Sequence, residues 1–406
     1  MRHHRLYETL GPSDGCQHLP CEGKYGIDRA DYVLMHAPEP TVILAARRDD
    51  LFEIQSAREV GADAEKMYAT LGESECFEFF ESDTEHGFTP PHREKATRWM
   101  RRWLCNEDKI VPEEDDVKKY PDHLKKLEGQ LQCTQSGQVL KEFSDEKSVA
   151  DLNFIRARQL SGAREEFWED HSTDECLAKI RRLIGCRQET SEIRVKEAGS
   201  LDRDSCRIKK LVIEREGEVP VPALLFVPLN CEGELPATLY VDGRGKKKEA
   251  GPDGAVMQLV NQNRMVLSID ARGFGETADH GSNGKHCNTE HRVAVLARDI
   301  GRPLMGQRVE DIMAALDVLV EQPNVDSSEI EAIGVERAGP VVLHAAALDN
   351  RIGSVTLENS IKSWIDDVVA RPKIHDLIGH VIFDALEYYD LPDLVETIRP
   401  RKVEHK

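Results

Sequence analysis

The sequence predicts an α/β fold with a mainly parallel sheet and helices on both of its faces. The first observation is that short apolar runs of strand length alternate with helical segments, most regularly between residues 190 and 360. The second is that these strands read as continuous apolar runs, as strands covered on both faces do. The third is length, since 406 residues suffice for two average domains or one large one.

The first 110 residues predict a small α/β unit in the order strand, helix, strand, helix. An apolar β-branched run at 39–48 has the length of a buried strand, and 51–72 has helical spacing that stops at a glycine. A second strand is predicted at 75–82. The segment 91–105 begins with proline and carries its apolar residues on one helical face.

The segment 111–150 is charged and has little apolar periodicity, so we interpret it as an exposed connector between 1–110 and a second domain at 151–406. The second domain begins with helices, to about residue 190, and continues with strands that come to alternate with helices. Its predicted strands are 206–216, 221–228, 236–243, 265–273, 329–335 and 352–359.

The amino-acid composition disfavours several classes of binding partner. The 54 Lys and Arg residues against 74 Asp and Glu residues give a net charge of −20, which disfavours nucleic acids and anionic membranes. No window approaches the roughly 20 apolar residues that cross a bilayer. The first residues lack the apolar core of a signal peptide, so a cytoplasmic protein is expected; a true N-terminus upstream would leave periplasmic or extracellular export open. Oligomeric state is left open.

Cysteine spacing indicates reduced thiols and predicts no metal site. The ten cysteines are irregularly spaced, and the one close pair is Cys16 and Cys21 with His18 between them. A structural zinc site needs four ligands, and no second pair lies nearby. No organic cofactor is predicted either.

Polar residues that follow three predicted strands are candidates for chemistry, because working groups lie at the carboxyl ends of parallel strands. Asp49 and Asp50 follow the first strand, His86 follows the second, and Glu336 lies at the strand-to-helix turn 334–339. An acid, a histidine and a residue on a sharp turn are the parts of a hydrolytic triad. Each also has a structural alternative: a turn or helix cap for the aspartates, a loop position for His86, and a plain turn around Glu336.

The sequence resembles the acetyl xylan esterase-like α/β hydrolases, and more closely a bacterial group in which two such domains occur in tandem. The motifs of residues 151–406 that carry the resemblance are "YVDGRG", "VLSIDARGFGET", "RPLMGQRVEDIMAALDVL", "IGVERAGPVVLHAAAL", "VTLENSIKSW" and "YYDLPDL". Residues 1–110 resemble instead the end of such a domain, and there Asp50 falls at the position of the family's acid and His86 at that of its catalytic histidine. The resemblance implies the α/β-hydrolase fold and hydrolysis of a carboxylic ester, with a small-molecule or carbohydrate ester as substrate.

The departures from the family pattern leave alternatives open. Glu336 stands where the family has its nucleophilic serine, and Ser268 and Ser360, inside and just after predicted strands, have no turn of that kind around them. The chain is either a fragment of a longer tandem esterase that spans two incomplete domains, or a single permuted domain. Oxyanion donors would come from amides after Glu336 and from the loop 242–245.

A glutamate at this position predicts weak or absent hydrolysis. A carboxylate has no proton for a histidine to remove, and its attack on an ester would give a mixed anhydride. We therefore expect a degenerate turn, with the Glu336 carboxylate solvated or paired to an arginine. A non-catalytic binding or structural module is the alternative.

Overall fold

The computed structural model divides the chain into two units, 1–146 and 147–406, and this division falls within the predicted connector. The residues that it describes are 19, 21–50, 52–113, 129–188, 192–229, 233–278, 289–371 and 377–406. None of the helices in these ranges is both long and apolar enough to cross a membrane.

The amino-terminal unit contains two parallel strands, β1 and β2, in a sheet of their own. Their register pairs Thr41 with Phe77, as expected for predicted strands at 39–48 and 75–82. The strands are β1 (Thr41–Arg48) and β2 (Phe77–Glu85), and the helices are α1 (Arg29–Leu34), α2 (Ile54–Leu71), α3 (Pro90–Cys105) and α4 (Val139–Glu142).

Helix α2 shows why these residues fold in this way. The Glu53 carboxylate accepts hydrogen bonds from two amides of the first turn, and Gly72 ends the helix with φ of 80°, a left-handed conformation that suits glycine. Ala64 and Tyr68 of this helix pack with Phe77 of β2 in a small core. The hydroxyl of Tyr68 donates to the carbonyl of Glu39 at 2.7 Å, just before β1.

The carboxy-terminal unit is built on an eight-stranded sheet in the order β10-β9-β8-β6-β7-β5-β4-β3. The strands from β10 to β7 in this order run parallel, whereas β5, β4 and β3 pair antiparallel. The prediction that 236–243, 265–273, 329–335 and 352–359 are neighbouring core strands is confirmed. The strands are β3 (Ile193–Asp202), β4 (Cys206–Arg215), β5 (Val221–Pro228), β6 (Leu235–Asp242), β7 (Met265–Ile269), β8 (Val325–Val335), β9 (Ser354–Glu358) and β10 (Lys402–His405).

Helices cover both faces of this sheet, as predicted. Successive side chains of β6 point to opposite faces of the sheet: Leu239 packs in the larger apolar core, and the adjacent Tyr240 packs in the smaller one on the other face. The helices are α5 (Val149–Asp170), α6 (Thr173–Leu183), α7 (Ala255–Asn261), α8 (Thr289–Asp299), α9 (Leu304–Val320), α10 (Gly339–Leu348), α11 (Ala385–Tyr388) and α12 (Leu391–Ile398).

Candidate functional site

The turn between β8 and α10 has the backbone geometry of a strained elbow. Glu336 lies at its apex with φ of 53°, a left-handed conformation that is uncommon for residues other than glycine. The turn is tightly packed. A Cβ on Gly334 would lie 2.8 Å from Cα of Gly339, and one on Gly339 would lie 2.0 Å from Oγ of Ser360. The small residues that the sequence places around the apex are therefore required by the close approach of the two elements.

The Glu336 side chain is partly exposed and faces an arginine. Its carboxylate lies 3.5 Å from Nε of Arg244, and 43% of the side chain is exposed. Arg244 also donates to Asp242 through Nε (2.9 Å) and a terminal nitrogen (2.7 Å). The hydrogen bond to Asp242 raises the pKa of Arg244, so the guanidinium stays charged beside Glu336. The expected pairing of Glu336 with an arginine is confirmed.

The loop after β6 does not offer free amides for an oxyanion. The amide of Gly243 donates to the carbonyl of Val335 at 3.2 Å, and that of Gly245 donates to the carbonyl of Asp242 at 2.9 Å. The Arg244 amide donates to the Asp242 carboxylate at 2.8 Å. The prediction that loop 242–245 supplies such donors is therefore not supported, because these three amides already donate to β8 or to Asp242.

A buried ion pair joins this loop to the one that follows β7. The Asp270 carboxylate accepts from both the amide and Nζ of Lys246, each at 2.6 Å, and from the amide of Glu276 at 2.9 Å. Lys246 and Asp270 are almost fully buried. Asp270 opens the Asp-x-Arg-Gly-x-Gly motif, so the motif positions two loops at the carboxyl edge of the sheet. Lys246 gave no signal in the sequence because it lies among other lysines of a polar loop.

Two contacts hold the side chain of Arg337, the residue directly after the apex. Its Nε donates to the carbonyl of Gly243 at 2.9 Å, and its guanidinium forms an ion pair with Glu290. Arg308 binds the other oxygen of Glu290 at 3.1 Å, and both guanidinium groups stack on the ring of Phe274. Glu290 and Arg308 escaped the sequence analysis because each lies far from Arg337 along the chain.

Two serines lie near the carboxyl ends of the strands. Ser268 is buried in β7, and its hydroxyl lies 3.4 Å from the carbonyl of Lys246. Ser360 follows β9, and its hydroxyl lies 3.4 Å from the carbonyl of Ile361. Neither residue occupies a strand-to-helix turn of the kind that surrounds Glu336.

In the amino-terminal unit, His86 meets an aspartate, but this aspartate is Asp49 and not the predicted Asp50. The Nδ1 atom of His86 lies 3.0 Å and 3.2 Å from the two oxygens of Asp49. Asp49 also accepts from the amide of Phe52 at 2.9 Å. Asp50 is exposed. The contact that was expected between His86 and Asp50 is therefore made by the adjacent Asp49, which also follows the end of β1 at Arg48.

A cleft of about 460 Å³ opens beside this pair, within the amino-terminal unit. Phe52 stacks on the imidazole of His86, with the ring centroids 5.7 Å apart. A second histidine, His92, is buried at the cleft wall, where Nε2 lies 2.8 Å from Oγ of Ser82 and 3.2 Å from the carbonyl of Ala45. Sequence analysis did not identify His92, whose hydrogen bonds tie α3 to the two strands.

Metal ligands are not grouped in the described part of the chain. No three His, Cys, Asp or Glu side chains there are arranged to hold a metal ion. Cys16 and His18, of the cysteine pair noted in the sequence, lie outside the described residues, whereas Cys21 is a free thiol.

Comparison with known proteins supports the fold and the resemblance. Residues 181–360 match the family model of acetyl xylan esterase (AXE1). A candidate hydrolase of Bacillus subtilis (strain 168), YtaP, is 25% identical over 186 residues, which are 43% of this chain and 60% of that protein. The chain thus spans less than two thirds of this curated relative.

A solved structure shares the fold. A candidate acetyl xylan esterase from Bacteroides fragilis NCTC 9343 superimposes with a TM-score of 0.52 at 16% identity, over 68% of this chain and 77% of that one. Acetyl xylan esterase 1 from Thermoanaerobacterium sp. JW/SL YS485 gives 0.42 at 22% identity, over 57% and 77%. The predicted α/β-hydrolase fold is confirmed, as is the resemblance to acetyl xylan esterase-like α/β hydrolases. At a coarse level the chain therefore resembles carboxylic ester hydrolases.

Proposed function

We propose that this chain is an acetyl xylan esterase-like α/β hydrolase in which the turn at Glu336 no longer supplies a nucleophile, so that ester hydrolysis is weak or absent. The observation that carries the proposal is the position of Glu336, at the apex of a strained turn with φ of 53° and beside Arg244. The shape of a nucleophile turn is retained, and the chemistry of its apex is changed.

The chemistry of a carboxylate at this position supports the proposal. A serine nucleophile gives its proton to a base and forms an ester intermediate that water cleaves, whereas an ionised glutamate has no proton to give. Its attack on an ester would form a mixed anhydride. The ion pair with Arg244 further reduces the nucleophilicity of the carboxylate, and the amides of Gly243 and Gly245 already donate to the carbonyls of Val335 and Asp242.

The histidine and aspartate of the amino-terminal unit favour residual hydrolysis over complete inactivity. When the Nδ1 proton of His86 is donated to Asp49, the Nε2 lone pair is left to accept a proton from water or an alcohol. The substrate would be a small-molecule or carbohydrate ester, as the resemblance implies. If no hydrolysis occurs at all, the chain is a non-catalytic module of the same fold.

An assay of the full chain with 4-nitrophenyl acetate tests the proposal. We expect Glu336→Ala to leave the rate of ester hydrolysis unchanged, and His86→Ala or Asp49→Asn to lower it about tenfold or more. Asp50→Asn is the matched control for Asp49→Asn, because Asp50 is the exposed neighbour. A large loss of activity in Glu336→Ala would show that the carboxylate takes part in catalysis and would overturn the proposal.

A further inference from the structure

The cleft beside His86 has the size and lining of a site for a small organic molecule. Its volume of about 460 Å³ lies within the range of roughly 300–1,000 Å³ that is typical of ligand pockets. Its walls include Ile43 and Ala46 of β1 and Ala57 of α2, and two aromatic rings, Phe52 and Phe88, line it as well. The Phe88 side chain is largely exposed.

Polar groups in the lining are few, and most are already paired. The Asp49 carboxylate is held by His86 and by the amide of Phe52. His92 is held by Ser82 on one ring nitrogen and lies 3.1 Å from the carbonyl of Gly87 on the other. Among the described residues, Nε2 of His86 has no protein partner, so it remains to contact a ligand.

This lining discriminates between classes of ligand. A sugar ring has hydroxyl groups on every edge, and in an apolar cleft most of them would lose hydrogen bonds to water without replacement. A flat apolar ring would bury its surface against the aliphatic walls and extend the existing stack of Phe52 on His86. The cleft therefore suits an aromatic group better than a carbohydrate.

We propose that this cleft binds the aryl group of a neutral aryl ester, and that His86, oriented by Asp49, acts as the general base for attack by water on the ester carbonyl. The inference rests on the proposed function for the acid–base pair and adds the class of substrate. Binding of the aryl group depends on the cleft alone.

The reaction balances without a protein nucleophile. Nε2 of His86 takes a proton from a water molecule while the water oxygen forms a bond to the carbonyl carbon. The tetrahedral intermediate then collapses, and the bond between carbon and the aryl oxygen breaks. The leaving oxygen keeps the electron pair and receives the proton from His86, so ester and water become a carboxylic acid and a phenol.

Binding is tested with 2-naphthol and the full-length chain by isothermal titration calorimetry. We expect one site per chain, and an affinity lowered about tenfold in Ala57→Leu, because the added atoms fill the cleft. Glu59→Leu on the exposed face of the same helix is the matched control and should bind as the unmodified chain does. Circular dichroism checks folding, and Phe52→Leu serves as a second variant if Ala57→Leu does not fold. Absence of binding, or equal binding by the cleft variants, overturns the proposal.

Catalysis is tested with 2-naphthyl acetate and methyl acetate. Relative to spontaneous hydrolysis, the chain should accelerate the naphthyl ester more than methyl acetate, and Ala57→Leu should remove this preference. His86→Ala should abolish the acceleration, whereas His171→Ala, an exposed histidine in the other unit, should not. Binding of 2-naphthol with no effect of His86→Ala overturns the role of His86. These outcomes differ from the result that would overturn the proposed function. That result is a large loss of activity in Glu336→Ala.

Discussion

The carboxylate of Glu336 lies 3.5 Å from Nε of Arg244, so the apex of the turn after β8 is paired to the loop after β6. This ion pair is half-exposed, and such pairs contribute only about 0–1 kcal/mol to stability. The backbone of Glu336 has a φ of 53°, and the strain of this left-handed conformation lowers stability. The turn is therefore maintained by its surroundings and not by the preference of its apex residue.

Replacing the apex residue should expose this strain. We expect Glu336→Gly to increase the free energy of unfolding by roughly 1 kcal/mol, because glycine adopts a positive φ without steric cost. Glu336→Val should decrease it by a similar amount, since β-branched residues are disfavoured there. Urea denaturation measures both, with Glu329→Gly, an exposed strand position, as the control. If the glycine variant is less stable than the parent, the ion pair outweighs the strain.

The buried pair of Asp270 and Lys246 should matter far more for stability. Asp270→Leu leaves a buried ammonium with only Glu276 as its partner, at 2.7 Å, and should cost roughly 3 kcal/mol. Removing both charges in Asp270→Leu Lys246→Met should cost less than the single change. Asp253→Leu, at an exposed position, serves as the control. A double variant that is less stable than Asp270→Leu would show that the pair itself stabilises the fold.

The sequence was sufficient for those features that depend on local pattern. That the four central strands are neighbours was predicted from their apolar runs and their alternation with helices, and the turn at Glu336 from the glycines that bound it. The aspartate that contacts His86 is Asp49 and not the expected Asp50, because a local pattern does not determine which of two adjacent residues after a strand faces the neighbouring loop. Asp49 and Asp50 are the same residue type at adjacent positions, and only the folded structure shows which side chain contacts His86.

The remaining site residues could not be predicted because their partners are distant in the chain. Arg337 meets Glu290 across 47 positions, and Lys246 meets Asp270 across 24. Charged residues of this kind usually lie in solvent, so a single sequence gives no reason to place them in the interior. Tertiary packing of α8, α9 and the loops creates these contacts.

Stability of the carboxy-terminal unit should decrease on mild acidification because of His344. Burial lowers the pKa of His344 to about 4, whereas an unfolded histidine titrates near 6.5. The folded state therefore binds fewer protons than the unfolded state between these values, and stability that is complete above pH 6.5 is lost as pH falls toward 4.

His344→Gln tests this expectation. In the unmodified chain, Nδ1–H of His344 donates to the carbonyl of Pro340 at 2.6 Å, and Nε2 accepts from the hydroxyl of Tyr389 at 2.9 Å. The neutral amide of glutamine should retain part of this hydrogen bonding. The loss of unfolding free energy between pH 7 and pH 5 should become smaller by on the order of 1–2 kcal/mol. His171→Gln is the exposed control. An unchanged pH dependence in His344→Gln would contradict the assignment.

The contact between Gly339 and Ser360 should limit what the turn at Glu336 accepts. In Gly339→Ala the new methyl group would lie 2.0 Å from Oγ and 2.5 Å from Cβ of Ser360, so the first turn of α10 and the loop after β9 must separate. We expect a cost of roughly 1–3 kcal/mol in the free energy of unfolding, measured by urea denaturation. Gly251→Ala is the control, since a Cβ there has no neighbour within 4 Å. Both colliding atoms belong to the Ser360 side chain. When Ser360→Gly is already present, adding Gly339→Ala should therefore cost much less unfolding free energy than it costs in the unmodified chain. If the double variant is as unstable as the sum of the two single changes, the glycine is required by the backbone of α10 and not by its contact with Ser360.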